Sequence, residues 1–163
     1  MLQPHLIGVI SDTHGLLRPE AIKALHGTEL IIHAGDFDKP EILSELKNIA
    51  PTLAVRGNVD HGIWAQSLPR TRSVEVGGIR IYVIHNLADL SIDLAAAGFT
   101  AVISGHSHKP SITRKDGVLY LNPGSAGPKR FKLLPSVSLL RVTGNQVEVE
   151  LVELDAYKLE NRG

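Results

Sequence analysis

Cysteine is absent from the 163-residue chain, which excludes disulfides, thiolate nucleophiles and sulfur-ligated zinc. Any metal site must then be built from imidazole, carboxylate, amide and water ligands. Aromatic residues are scarce as well, with one Trp, three Tyr and three Phe. A surface that stacks successive bases of a nucleic acid has little to draw on. Neither sign of charge is in excess, since 17 Lys plus Arg balance 17 Asp plus Glu, so the totals offer no electrostatic capture of polymeric nucleic acid or an anionic membrane. No segment reaches the roughly 18 apolar residues of a membrane helix. Met1-Leu2-Gln3-Pro4-His5 lacks a basic region ahead of a long apolar stretch. The expectation is a soluble, cytoplasmic protein.

What is present is a repeating order of short apolar runs and helical stretches over one domain, residues 1–163. Leu6 to Ile10 reads as a strand, and Pro19 opens a helix to about His26. Leu30 to His33 is a second strand, followed by Asp38 as a cap and Glu41 as its capping-box partner for a helix from Pro40. Pro51 to Val55 is a third strand. Alternation on this spacing predicts parallel strands with right-handed crossovers, and ligands in such sheets bind beyond the carboxyl ends of the strands. Further on, Arg72 to Val76 and Ile79 to Ile84 flank Gly77-Gly78 as a hairpin, and a helix is expected from about Ala88 to Ala97. Thr100 to Ile103 is a buried-type strand, Asp116-Gly117 a hairpin turn, and Gly144-Asn145 joins Ser136 to Val142 with Gln146 to Val152. The tail from Lys158 to Gly163 is polar.

Polar groups gather just after these runs: Asp12-Thr13-His14, Gly35-Asp36, Gly57-Asn58, His85 and Gly105-His106-Ser107-His108. Taken alone, most have an ordinary structural explanation, as a turn residue or a satisfied buried histidine, while Asp36, with Asp38 already there to cap the helix, has no obvious structural task. Such explanations would have to hold independently at five successive strand ends. Oxygen and imidazole donors brought to one rim suit manganese, iron, zinc, cobalt or nickel.

The ordered set Asp-x-His, Gly-Asp, Gly-Asn, His, Gly-His-x-His resembles the calcineurin-like metallophosphoesterases, in particular their small phosphodiesterase branch. Ile32-His33-Ala34-Gly35-Asp36, Val55-Arg56-Gly57-Asn58-Val59-Asp60 and Asn122-Pro123-Gly124-Ser125 support the likeness, which covers nearly the whole chain. The resemblance implies an α/β fold, a four-layer αββα sandwich of two mixed β-sheets flanked by helices. It also implies two divalent metal ions, manganese foremost, with Asp12, His14 and His108 on one, Asn58, His85 and His106 on the other, and Asp36 bridging. Asp36, Asn58 and His106 are the residues it assigns to catalysis, with a metal-bridging hydroxide as the attacking group.

Two departures bear on substrate. Many relatives place a histidine after the Gly-Asn pair to protonate the departing oxygen, but Val59 stands there and Asp60 follows. His61 is the nearest substitute, and Asn58, Asp60, His61 and Arg130 are the candidate substrate contacts. Relatives also read His-Gly-His where this chain reads His85-Asn86-Leu87. Pro128-Lys129-Arg130 is either a positive partner for a phosphate or a solvated basic turn, and Arg56 either supports the site or pairs with an acidic side chain. The expected function is hydrolysis of small-molecule phosphodiesters with good leaving groups. A phosphomonoesterase or nucleotide phosphatase on the same site is one alternative, and a non-catalytic scaffold of the retromer-subunit type is another. Relatives of this size also form homodimers.

Overall fold

The computed structural model describes residues 2–130 and 132–154, so the polar tail expected at Lys158 to Gly163 lies outside the described residues. Parallel pairing begins at the N-terminus. The branched run β1 (His5–Ile10) pairs with β2 (Leu30–His33), which pairs with β3 (Thr52–Ala54). The crossovers are α1 (Pro19–Leu25) and α2 (Pro40–Lys47), each opened by a proline whose missing N–H costs a first turn nothing. Two C-terminal strands, β9 (Ser136–Thr143) and β10 (Gln146–Glu153), add antiparallel to the free edge of β1. The first sheet thus runs β10-β9-β1-β2-β3.

After the short helix α3 (Ile63–Gln66), the chain builds a second sheet from β4 (Thr71–Val76), β5 (Ile79–Ile84), β6 (Ala101–Ile103), β7 (Ser111–Lys115) and β8 (Val118–Asn122), in the order β4-β5-β6-β8-β7. Its centre, β5-β6-β8, is parallel, and its edges are antiparallel hairpins. The two sheets pack face to face because period-2 alternation points one set of side chains inward from each. Ile7, Val9 and Ile32 of the first meet Ile81, Val83, Ile103 and Leu119 of the second in one buried cluster. Each such side chain contributes about 1.5–3 kcal/mol by leaving water.

Helices cover the outer face of the first sheet, where Ala21, Leu25, Ile42 and Leu46 bury against Ile10 and Ile31. The fourth layer differs from expectation. In place of a helix from Ala88 to Ala97 there is one 3-10 turn, Leu87–Asp89, followed by turns that lay Leu94 and Phe99 on Ile84, Val102 and Val118. Two local bonds explain this: Asn86 Oδ1 accepts from the Ala88 N–H at 3.0 Å and Asp93 Oδ1 from the Ala96 N–H at 3.2 Å. Such side-chain bonds compete with the helical ladder. Asp38 does not cap α2 either. The capping position is Lys39 with no side-chain bond, while Asp38 takes a left-handed backbone, φ 70°.

Candidate metal centre

The expected ligands follow β1, β2 and β3 of the first sheet and β5 and β6 of the second, so the seam between the sheets ends in all of them. Hydrogen bonds lock the loops together there. The Asp12 N–H donates to the Gly35 carbonyl at 3.0 Å, His14 N–H to Asp36 O at 3.1 Å, and Gly105 N–H to His85 O at 2.9 Å. Asp12, His14, Asp36, His106 and His108 all adopt positive φ, between 44° and 72°. Non-glycine residues rarely do so, and strain repeated at these five positions marks a geometry the rest of the fold imposes. Space is equally constrained: a Cβ at Gly57 would overlap the Asp36 carboxylate, and one at Gly105 would overlap Ser11 Oγ.

Two groups of donors result. In the first, His108 Nε2 and His14 Nε2 lie 3.4 and 3.8 Å from Asp12 Oδ1 and 3.2 Å from each other. In the second, Asp36, His85 and His106 bring one ligand atom each to within 4.8 Å of one another. Asp36 joins the groups, its Oδ2 standing 3.1 Å from His85 Nε2 and 3.9 Å from His14 Nε2. The remaining atoms of these side chains are committed elsewhere, which sets their direction. His85 Nδ1 donates to the Ala34 carbonyl at 2.7 Å, so Nε2 faces inward towards Asp36. Asp36 Oδ1 accepts from the Val59 N–H at 3.0 Å, and Asp12 Oδ2 from Ser11 Oγ at 2.7 Å and the His106 N–H at 3.1 Å.

What is left over tests whether a cation fits. Asp12 Oδ1 and His85 Nε2, which face the donor groups, are buried without a hydrogen-bond partner, and buried polar atoms are seldom left so. Carboxylate oxygens and imidazole nitrogens converge here. Burial first, then the charges of Arg130 and His14, lower the His108 pKa to about 4, which keeps the ring neutral with one nitrogen lone pair available. On Asp36 burial works upward, but the His85 and Val59 bonds outweigh it and hold the carboxyl well below its usual range. Burial works downward on His85, and the Asp36 carboxylate overrides it to leave the imidazole raised. Asp12 is raised, chiefly by burial. The positive charge that Asp36 draws onto His85 in the metal-free chain is one that a divalent cation supplies instead, with release of the proton.

A model of the calcineurin-like phosphoesterase superfamily domain matches residues 6–145. The chain belongs to that superfamily. A probable metallophosphoesterase of Methanothermobacter thermautotrophicus is 39% identical to it over 93% of this chain and 94% of that protein. Among solved structures, an archaeal phosphodiesterase superposes with a TM-score of 0.75 at 25% identity, covering 90% of this chain and 99% of its own. Vacuolar protein sorting 29 of Cryptosporidium parvum shares the fold, with a TM-score of 0.75 at 22% identity over 92% of this chain and 97% of that one. The superfamily is one of metal-using phosphoesterases, and the two donor groups supply this member with places for divalent ions.

The remaining candidates of this metallophosphoesterase fall differently. Asn58 lines the cavity beside His85. Asp60 is only 3% exposed, and its carboxylate accepts the N–H groups of Asp36, Phe37, Asp38 and Gly57 at 2.8–3.0 Å. It clamps the Asp36 loop to the Gly57 loop and has no oxygen to spare for a substrate, contrary to expectation. His61 is exposed and belongs to neither donor group, and Arg130 is exposed with its charge felt at His108. Three further supports escape a reading of ligand spacing alone. Ser11 orients Asp12, Ser125 Oγ donates to Asp12 O at 2.8 Å, and Asn122 Nδ2 donates to Gly105 O at 2.9 Å. The Asn-Pro-Gly-Ser string was a signal for the last two. His33, stacked on Phe37 and fully buried, accepts the Gly35 N–H on Nδ1 and donates from Nε2 to Thr13 Oγ1.

Proposed function

We propose that this metallophosphoesterase is a phosphodiesterase of small molecules, in which Asp12, His14 and His108 hold one divalent cation, Asn58, His85 and His106 hold a second, and Asp36 is shared. The observation that carries the reading is the pair of donor groups joined at Asp36, with Asp12 Oδ1 and His85 Nε2 buried and without a hydrogen-bond partner. The likeness to an archaeal phosphodiesterase over 90% of the chain supports it. Manganese is the first cation to test, since the donors are oxygen and imidazole.

Two cations at such a site supply Lewis acidity to phosphoryl oxygens and acidify a water molecule. The chain does the rest by position. Ala34 and Val59 fix the facing atoms of His85 and Asp36, and Asn58 lies where an amide can orient a phosphoryl oxygen next to His85. The segment after the Gly-Asn pair offers no acid for the leaving group: Val59 has no proton to give, Asp60 is consumed by backbone N–H groups, and His61 faces solvent. Substrates whose leaving groups depart as stable anions follow from this, because general acid catalysis contributes about 10²–10⁴-fold where it operates.

The likeness to vacuolar protein sorting 29 is one of fold, and it raises a second reading, a binding scaffold. The complete ligand set favours the enzyme. Chelator-treated protein should regain hydrolysis of an aryl phosphodiester when manganese, nickel, cobalt, zinc or magnesium is returned singly, with the matching monoester turned over more slowly. Faster monoester turnover would make it a phosphatase. Metal binding with neither ester cleaved would favour the scaffold.

A further inference from the structure

A cavity of about 270 Å³ opens beside the second donor group, walled by His85, Asn58, Asn86 and two guanidiniums, Arg56 and Arg70. Pockets that enclose a whole small ligand run to about 300–1,000 Å³, so this one is sized for a substituent. Arg56 follows β3 and Arg70 precedes β4. The Arg56 N–H donates to the Pro69 carbonyl at 2.9 Å, which brings the two segments side by side.

Neither guanidinium has an ion-pair or side-chain hydrogen-bond partner among the described residues, and Arg56 Nε is buried with none. Asp89 also lies on this wall but pairs with neither. A buried guanidinium N–H without an acceptor is unfavourable unless something outside the chain answers it. The planar fork of arginine matches phosphate or carboxylate oxygens in pairs. Asn86 stands at the border, its Oδ1 tied to the Ala88 N–H and its amide nitrogen without a partner among the described residues. A second cavity, of about 420 Å³, lies past His106 with Tyr120 and Leu87 on its wall and Lys109 as the one Lys or Arg among its described lining, so paired guanidiniums belong to the His85 side.

We propose that Arg56 and Arg70 form a subsite for a second oxyanion on the substrate, so that preferred diesters carry a further phosphate or carboxylate on the arm lying along His85. This rests on the phosphodiesterase reading, yet the binding half of its test does not need turnover. In the chelator-treated full chain labelled with nitrogen-15, the Arg56 Nε–H resonance, assigned by its loss in Arg56→Lys, is followed while phosphate and acetate are titrated separately. A saturable shift is expected, and which anion produces it decides between phosphoryl and carboxylate recognition. The double variant Arg56→Ala, Arg70→Ala, which has no Arg56 signal, is compared with the wild type through the backbone amide shifts of Gly57 and Thr71 on the same wall, and should bind the effective anion about tenfold more weakly or worse. No saturable shift with either anion, or wild-type affinity in the double variant, overturns the subsite.

The substrate half compares thymidine 5′-(4-nitrophenyl phosphate) with its 3′-phosphorylated counterpart on manganese-loaded protein. If phosphate is the effective anion, kcat/KM should favour the 3′-phosphorylated ester by about tenfold, and Arg70→Ala should bring the ratio towards one. Where acetate alone shifts Arg56, a pair of diesters with and without a carboxylate replaces it. Anion binding without cleavage of any diester keeps the subsite and discards the phosphodiesterase reading. Cleavage with no anion response does the reverse.

Discussion

Replacing Asp60 with Ala removes a carboxylate that accepts four backbone N–H groups at 2.8–3.0 Å. Asp38 is exposed, so water can serve its N–H, but Asp36, Phe37 and Gly57 are buried. Each buried donor left unsatisfied costs about 1–3 kcal/mol, and partial entry of water makes the sum less than additive, so we expect a loss of about 3–5 kcal/mol. That is a large share of the 5–15 kcal/mol of a typical domain. Asn is no remedy. Its one oxygen serves one pair of donors while its NH2 faces the other pair. Urea unfolding in chelator should show a lower midpoint at unchanged slope for both variants, with Tm reduced by roughly 6–20 °C for Ala. Metal affinity should fall with it, because the freed loop carries Asp36 at φ 65°. A wild-type unfolding midpoint combined with a raised KM would refute this reasoning and return Asp60 to the substrate.

Asp36→Asn keeps an oxygen for the Val59 N–H but loses the shared charge, so turnover should vanish while stability in chelator changes by less than about 1 kcal/mol; retention of full turnover would remove the shared-ligand mechanism. His61→Ala should slow esters of good and poor leaving groups by the same small factor, and a selective loss on poor leaving groups would make His61 the acid. His33 predicts a pH effect on stability. Burial lowers its pKa from 6.5 to about 3, so the unfolded chain takes up a proton that the folded chain refuses, and stability falls as pH drops below 6.5. The metal-free wild type should lose about 2 kcal/mol more than His33→Asn between pH 6.5 and about 4.5, measured by urea midpoints. Equal losses would mean that His33 protonates without unfolding cost.

The strand ends were legible in sequence because two physical signals coincide there. Short branched runs fix the parallel strands, and the polar residues after Ile10, His33, Val55, Ile84 and Ile103 have nowhere to go but the rim. The grouping of Asp12, His14 and His108 apart from Asp36, His85 and His106 follows the order implied by family resemblance. Composition and spacing alone leave that grouping open. Residues 88–97 misled because their apolar spacing suits a helix, whereas the bonds from Asn86 and Asp93 to nearby N–H groups favour turns. Asp60 misled for a related reason. A carboxylate next to a ligand loop looks the same in sequence whether it faces a substrate or gathers backbone donors from a segment more than twenty positions away. Arg56 reads either way in sequence, and in three dimensions it has no acidic partner among the described residues.

The most direct measurement is a manganese titration of chelator-treated protein, following the electron paramagnetic resonance spectrum and diester turnover in the same samples. The account predicts two ions per chain, spin coupling between them as the second binds, and turnover that rises with that second equivalent. An uncoupled manganese spectrum with turnover complete at one equivalent would contradict it.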